Sequence, residues 1–357
     1  MSTVALNSGS AMLRVLAQSA ELKSRLGDLT AQSGSGRLAT TYGGESAEAR
    51  QAISLRGEIA RRTATGDSIG QAVGRADAAQ TVLSRLSDIA SSFAAKTGTL
   101  LNADDDALAT AASDARDALT EIGSLLNSNY QGSYLFSGSD TGNEAVPNGD
   151  LTASGMSSAI QSAMAALASN GAAATLSATA AASTDTANSP FSSFLNGDGA
   201  TEARPTTLLD DGTRVGTGVW ANRNATAAST GSDSVGSWSL DLIRGLMTLA
   251  ALPAASDAGA STADKQAVLA SVRGGFTSAV NALAVDAGTL GQTQARLETA
   301  QDRHESVNTA LSGQLSDIET VDMATTLTAL KDTQTRLEAS YQSISILSGL
   351  TLVDFLR

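Results

Sequence analysis

The chain has 357 residues and carries 23 Lys and Arg against 36 Asp and Glu, a formal net charge of −13. That acidity argues against nucleic acid phosphates and anionic membrane lipid as partners. There is no cysteine, His304 is the single histidine and aromatics make up only 3%. Disulfides, thiol nucleophiles and thiolate or His-rich metal sites are thereby excluded. We expect no enzyme, no cofactor and no catalytic or metal-binding residues, and no cleavable signal peptide or membrane span.

Residues 10–33 read as an amphipathic helix. Met12, Val15, Leu22, Leu26 and Leu29 fall on heptad positions with Ser19 the one polar member, and Gly34, Ser35 and Gly36 break it. A second helix is expected from near Glu45. Its seam is a double heptad: Ile69, Ala76, Leu83 and Ala90, with Ala72, Ala79, Leu86 and Phe93 offset from them. Asp104 or Asp105 is suited to cap a third helix bearing Leu108, Ala112, Ala115, Leu119, Ile122 and Leu126 on one face.

Residues 137–237 change character. They are rich in Gly, Ser, Thr, Ala and Asp, with Phe191, Phe194, Trp220 and Trp238 as large anchors. Asp211-Gly212 is a hairpin signal. The spacing predicts a small mixed or β-rich insertion, in which the tract 156–183 reads as helix or disorder.

The C-terminal third returns to a strict period. Leu269, Phe276, Leu283, Leu290, Leu297, His304, Leu311 and Ile318 occupy one heptad position. Val272, Ala279, Ala300, Val307 and Val321 hold the companion position, interrupted by Asp286, Thr293 and Gln314. A rod of roughly 50 residues, or about 75 Å, follows. A last helix carries Met323, Leu330, Leu337 and Ile344 in step and ends in the apolar tail Leu350, Leu352, Val353, Phe355, Leu356.

These elements predict a mainly α fold. N- and C-terminal segments form a long antiparallel, coiled-coil-like rod with a small β-rich or mixed inserted outer domain. The expected divisions are 1–40, an N-terminal assembly helix; 41–136, one side of the rod; 137–240, the insertion; 241–320, the other side; and 321–357, a C-terminal assembly helix. The rod core is assigned to Ile69, Leu83, Leu86, Phe93, Phe276, Leu283, Leu290, Leu297 and Leu311. The terminal helices carry apolar stripes beyond the best-paired block, and isolated helices of that length are marginal in water. Their stripes are therefore expected to lie uncovered in the lone chain and to pack on neighbouring subunits through Val15, Leu22, Leu26, Leu29, Leu330, Leu337, Ile344, Leu352 and Phe355.

Four smaller features have bland readings that outweigh sharper ones. His304 reads as a hydrogen-bonded register residue rather than a pH switch. Asp104–Asp106 lacks the spacing of a calcium loop and reads as a cap. Arg56, Arg61 and Arg62 read as a solvated face, or as partners for Asp317 or Glu319 of a neighbouring subunit. Asn224-Ala225-Thr226 is a glycosylation sequon by pattern alone.

The segment Ser316–Ser340, SDIETVDMATTLTALKDTQTRLEAS, resembles the C-terminal signature of the bacterial flagellin family, with an acidic turn (Asp317, Glu319, Asp322) before a helix bearing Gln334. Leu290–Glu298 (LGQTQARLE) and Ser33–Arg37 (SGSGR) are similar to other segments of that family. Asn129–Thr141 (NYQGSYLFSGSDT) and the terminal LTLVDFLR resemble its hook–filament junction branch. The resemblance implies a secreted structural subunit of the flagellum that joins hook to filament, or alternatively a filament-forming flagellin. It implies export unfolded and a helical array with the terminal helices inside. The partners it implies are hook-side and filament subunits, further copies of the chain and an export chaperone. A helical binding module with no polymer role is the rival class.

Overall fold

The structure, a computed structural model, describes residues 2–39, 49–209 and 212–355, with side chains described between Leu13 and Ile346. Helix dominates. In chain order the helices are α1 (Ser2–Ser35), α2 (Ala49–Thr99), α3 (Asp105–Leu126), α4 (Gly155–Ala165), α5 (Leu167–Thr184), α6 (Ser193–Asn196), α7 (Trp238–Asp257), α8 (Thr262–Glu319) and α9 (Met323–Phe355). Among the described residues the only sheets are two small antiparallel hairpins: β1 (Asn129–Tyr130) with β2 (Ser133–Tyr134), and β3 (Thr206–Leu208) with β4 (Arg214–Gly216). The chain divides into two compact units, Met1–Thr63 with Glu305–Arg357, and Ala64–His304.

The larger unit is built on the two heptad seams. Phe93 meets Phe276 with ring centroids 6.0 Å apart. Further along, Gln294 donates to Asp77 at 2.7 Å, and Ile69 clusters with Leu297 and Ala300. As residue numbers fall on α2 they rise on α8, so the helices run antiparallel. Ile69, Leu83, Leu86, Phe93, Phe276, Leu283, Leu290 and Leu297 are all buried. Each such side chain contributes about 1.5–3 kcal/mol when fully buried. α8 contains a stretch long and apolar enough to cross a membrane, but 56% of that stretch is buried inside the protein, where it serves as core.

α7 lies at the centre of this unit, packed against α3, α4 and α5. It is apolar nearly all round, with Trp238, Leu242, Ile243, Leu246, Met247, Leu249 and Leu252 buried, as expected of a helix enclosed on every side. It is separated from α8 by the turn at 258–261, where Gly259 takes a φ of 84°. The sequence reading placed no break there, because the heptad count starts only at Leu269. α7 approaches α8 so closely that a Cβ on Gly245 would lie 2.6 Å from the Phe276 ring. Asp104 caps α3 by accepting the Ala107 N–H at 2.9 Å.

The insertion is mixed and mostly helix and coil, so the β-rich alternative is corrected. The Asp211-Gly212 hairpin is short, and the small residues of the helix-or-disorder tract form helix. The 156–183 tract forms α4 and α5, kinked at Gly171, whose φ is 75°. Met156, Ile160, Met164 and Leu167 are buried; Thr179 and Ser183 are also buried and donate to the carbonyls of Leu176 and Ala180. Such back-bonding lets a helix of small hydroxyl residues enter a core without stranding donors. β3 and β4 flank the expected turn, whose Asp211 lies outside the described residues while Gly212 takes a φ of 90°.

In the smaller unit α1 packs on α9. The end of α1 and the start of α9 are joined by backbone bonds from Leu38 N–H to the Glu319 carbonyl (2.8 Å) and from Val321 N–H to the Gly36 carbonyl (3.1 Å). The two helices therefore leave that point side by side and antiparallel in chain sense. In the same unit, Asn308 donates to the Thr63 hydroxyl at 3.2 Å. Leu311 is half-buried, less enclosed than the other residues assigned to the rod core. The expected start of α2 near Glu45 lies outside the described residues.

Candidate assembly surface

The terminal pair is built on heptad spacing. On α1, Val15, Leu22, Leu26 and Leu29 are half-buried and Ser19 is buried. On α9, Leu330 and Ile344 are half-buried, and Thr326, Thr333 and Leu337 are buried. Both sets step by four and three residues, which places each on a single helix face. The expectation that these stripes lie uncovered in the lone chain is corrected: each helix covers the other. Leu352 and Phe355 lie outside the residues whose side chains are described.

Most apolar residues of this seam are less enclosed than those between α2 and α8. Three of its inward positions are hydroxyl residues, each bonded to its own helix: Ser19 to Leu16 O, Thr326 to Asp322 O and Thr333 to Ala329 O. A hydroxyl satisfied internally neither holds nor repels the partner helix. Further large apolar side chains of the pair stand outside the seam. Leu13 (70% exposed), Leu16 (42%), Leu327 (48%), Tyr341 (51%) and Ile346 (65%) face solvent. Large apolar side chains repeated along a helix pair and left in water mark an interaction surface.

The turn between α8 and α9 holds the polar machinery of this unit. Glu319 is 7% exposed and pairs with two arginines, Arg37 at 3.3 Å and Arg56. Asp322 caps α9, accepting from the N–H groups of Ala324 (2.8 Å) and Thr325 (3.3 Å) and from the Thr325 hydroxyl (3.1 Å). Those bonds, led by the Thr325 N–H, hold the Asp322 carboxyl below its usual range. Arg61 and Arg62 both pair with Glu58 on their own helix. Arg56 thus takes its carboxylate from within the chain, where the sequence reading looked to a solvated face or a neighbouring subunit.

Other sequence candidates resolve as structural parts. His304 is buried, with Nε2 2.7 Å from the Leu209 carbonyl. A carbonyl only accepts, so Nε2 carries the proton and pins the β3–β4 hairpin to the seam. Asp105 accepts from the Ser256 hydroxyl at 2.7 Å and lies 3.6 Å from Lys265, and these lower its carboxyl. The sequon amide of Asn224 donates to Ala227 O and Ser229 Oγ, so its nitrogen is already occupied. Among the described residues no group of three His, Asp or Glu side chains is placed to hold a metal.

Two polar residues of structural weight escaped the sequence reading. Asp286 was counted as an interruption of the heptad; it is 2% exposed and accepts from Ala225 N–H, Thr226 N–H and the Trp238 indole. Asp241 is fully buried and accepts from Ser234 and Val235, and burial pushes its carboxyl up. In both cases the available signal is a charge among apolar neighbours, Leu283, Ala284 and Val285 before Asp286 and Leu240, Leu242 and Ile243 around Asp241. A cavity of about 630 Å³ lies between α3, α4 and α7, floored by Leu119, Met247 and Ala251 and rimmed by Arg116, Asp117 and Gln161.

Residues 274–356 match the bacterial flagellin C-terminal helical region. That stretch takes in most of α8 and α9, including Glu319, Asp322 and the exposed residues Leu327, Tyr341 and Ile346. No curated protein matches the chain.

Proposed function

We propose that this chain, a structural subunit of the bacterial flagellin family exported to the extracellular flagellum, joins hook to filament through helical packing of its terminal pair. The family is structural and not enzymatic, so the work lies in surfaces. The observation that carries the reading is the exposed apolar row on α1 and α9. Copies of the chain, or hook-side and filament subunits, would complete its burial. Such contacts are heterologous, one surface meeting a different surface of the next subunit, so an array continues instead of closing on itself. Val15, Leu22, Leu26, Leu29, Leu330, Leu337 and Ile344 form the inner row that keeps the pair together, and Leu352 and Phe355 extend the apolar pattern of α9. The junction role rests on the resemblance of Asn129–Thr141 and of the terminal LTLVDFLR to the junction branch. An export chaperone is the expected partner before secretion.

A filament-forming role is the second reading, and the match of residues 274–356 to the bacterial flagellin C-terminal helical region fits it as well as the first. Two measurements separate them. Purified filament protein polymerises alone into long fibres; a junction protein does not. A deletion strain lacking the junction protein makes bare hooks and loses filament protein to the medium, whereas one lacking the filament protein sheds none.

A further inference from the structure

We propose that the β3–β4 hairpin is a clasp on the α2–α8 seam, fixing the point to which the two helices can fray. The hairpin belongs to the insertion, yet it reaches back to the last closed layer of that seam. Leu209, which follows β3, and Val215 on β4 are buried with Ile69, Leu297 and Ala300 in a small apolar cluster separate from the main core. His304 joins this layer by donating from Nε2 to the Leu209 carbonyl at 2.7 Å. The hairpin is braced within itself. Leu209 N–H meets the Thr213 carbonyl at 2.8 Å, and the N–H groups of Thr217 and Gly218 meet the Pro205 carbonyl at 2.8 and 3.2 Å.

Burial drops where the clasp sits. Ile69, Leu297, Ala300 and His304 are buried. The next heptad positions of α8, Leu311 and Ile318, are only half-buried, and of the α2 residues before Ile69 only Ala52 is buried. Past the clasp α2 holds Gly57 and α8 holds Gly313, and at neither would a side chain meet a neighbour within 4 Å. Glycine is a poor helix former, and no close approach requires it there. Those helix ends are therefore prone to unwind. The division of the chain into compact units falls at the same place, after Thr63 and after His304. A two-stranded hairpin is marginal alone, and an end layer of a helix pair lacks cover on its open side, so each supplies what the other needs. With the hairpin seated, unwinding past Ile69 must also bare Leu209 and Val215. With the hairpin gone, unwinding runs on to the main core at Ala76 and Leu290.

The test uses the full chain, free in solution, and hydrogen exchange mapped on peptides. In the unaltered chain we expect slow exchange in 69–99 and 269–304 and faster exchange in 49–63 and 305–319. Leu209→Asp and Val215→Asp alter the hairpin alone. Each should raise exchange in 64–76 and 290–304 by about tenfold while 79–99 and 269–286 keep their protection. His304→Ala should loosen the same stretches, and His304→Gln, which keeps a side-chain N–H, should recover most of the protection. Unchanged exchange in 64–76 and 290–304 in the hairpin variants, or an equal rise over all of 64–304, overturns the clasp. An unaltered chain with no step in exchange near residues 64 and 304 overturns it as the boundary of fraying. If His304→Gln exchanges as fast as His304→Ala, the bond to Leu209 has no part in it.

Discussion

Asp286 on α8 accepts the indole N–H of Trp238 on α7 at 3.2 Å, and the same carboxylate takes the backbone N–H groups of Ala225 and Thr226 at 2.8 and 3.1 Å. One buried acid thus closes the insertion onto the helices that flank it. Asp286→Ala leaves the buried Trp238 indole and two part-buried backbone N–H groups without their acceptor. Each stranded donor costs about 1–3 kcal/mol, with the sum limited by local relaxation. We predict a loss of about 2–4 kcal/mol, read by urea unfolding followed through tryptophan fluorescence. A shift of less than about 0.5 kcal/mol would show that water replaces the carboxylate at no cost.

Gly245 admits the Phe276 ring where a methyl group would sit 2.6 Å from it. Gly245→Ala should destabilise the larger unit by about 1–3 kcal/mol, the usual cost of overpacking. Because the obstacle is one ring, Gly245→Ala combined with Phe276→Leu should lose less than the sum of the two single changes. Simple additivity in thermal melts would place the strain elsewhere.

The two apolar rows of the terminal pair should respond differently to charge. Leu327→Asp and Tyr341→Asp lie on the exposed row and should leave monomer helicity unchanged while abolishing incorporation into the appendage. Leu337→Asp, in the buried row, should cost monomer helicity as well. Circular dichroism of the monomer beside electron microscopy of the assembled product checks both. Normal incorporation of Leu327→Asp and Tyr341→Asp would remove the exposed row from the assembly surface.

Asp322 gives a pH dependence with a definite sign. Its folded carboxyl is held below the usual range by bonds from Thr325 and Ala324. The stability it adds is therefore present above its unfolded value, about 3.9, and is lost as pH falls through the lower folded value. Asp322→Asn keeps a neutral cap and removes the charge. The melting advantage of the native chain over Asp322→Asn should be present near about pH 6 and shrink as pH falls below about 3.9. A gap that does not change over that range would mean the charge plays no part in the cap.

The repeating parts of this fold were legible in the sequence. Heptad positions from Ile69 to Phe93 and from Leu269 to Leu297 announced a seam because burial on one helix face imposes the period directly. Asp104 was readable as a cap because the orphan N–H groups of a helix start call for such a side chain. What stayed hidden depends on pairing across the chain. Nothing local in residues 13–29 or 326–344 says whether a stripe meets a neighbour or the other end of its own chain, and the fold joins the two ends. The insertion misled because Ser and Thr favour turns and caps yet settle into helices once their hydroxyls bond to their own helix, as in α5. Glu319 was visible as part of an acidic turn and as a partner for Arg56 across subunits, but not as a residue paired within its own chain, since its arginines come from distant segments.

The antiparallel course of α2 and α8 has a kinetic consequence. Gln294 and Asp77 are 217 residues apart, and Arg37 and Glu319 are 282 apart. Contacts of such long range form slowly and late, because a large loop must close before any of them rewards it. Neither seam can form until the last third of the polypeptide is present. The two seams are therefore the last parts of the architecture to close.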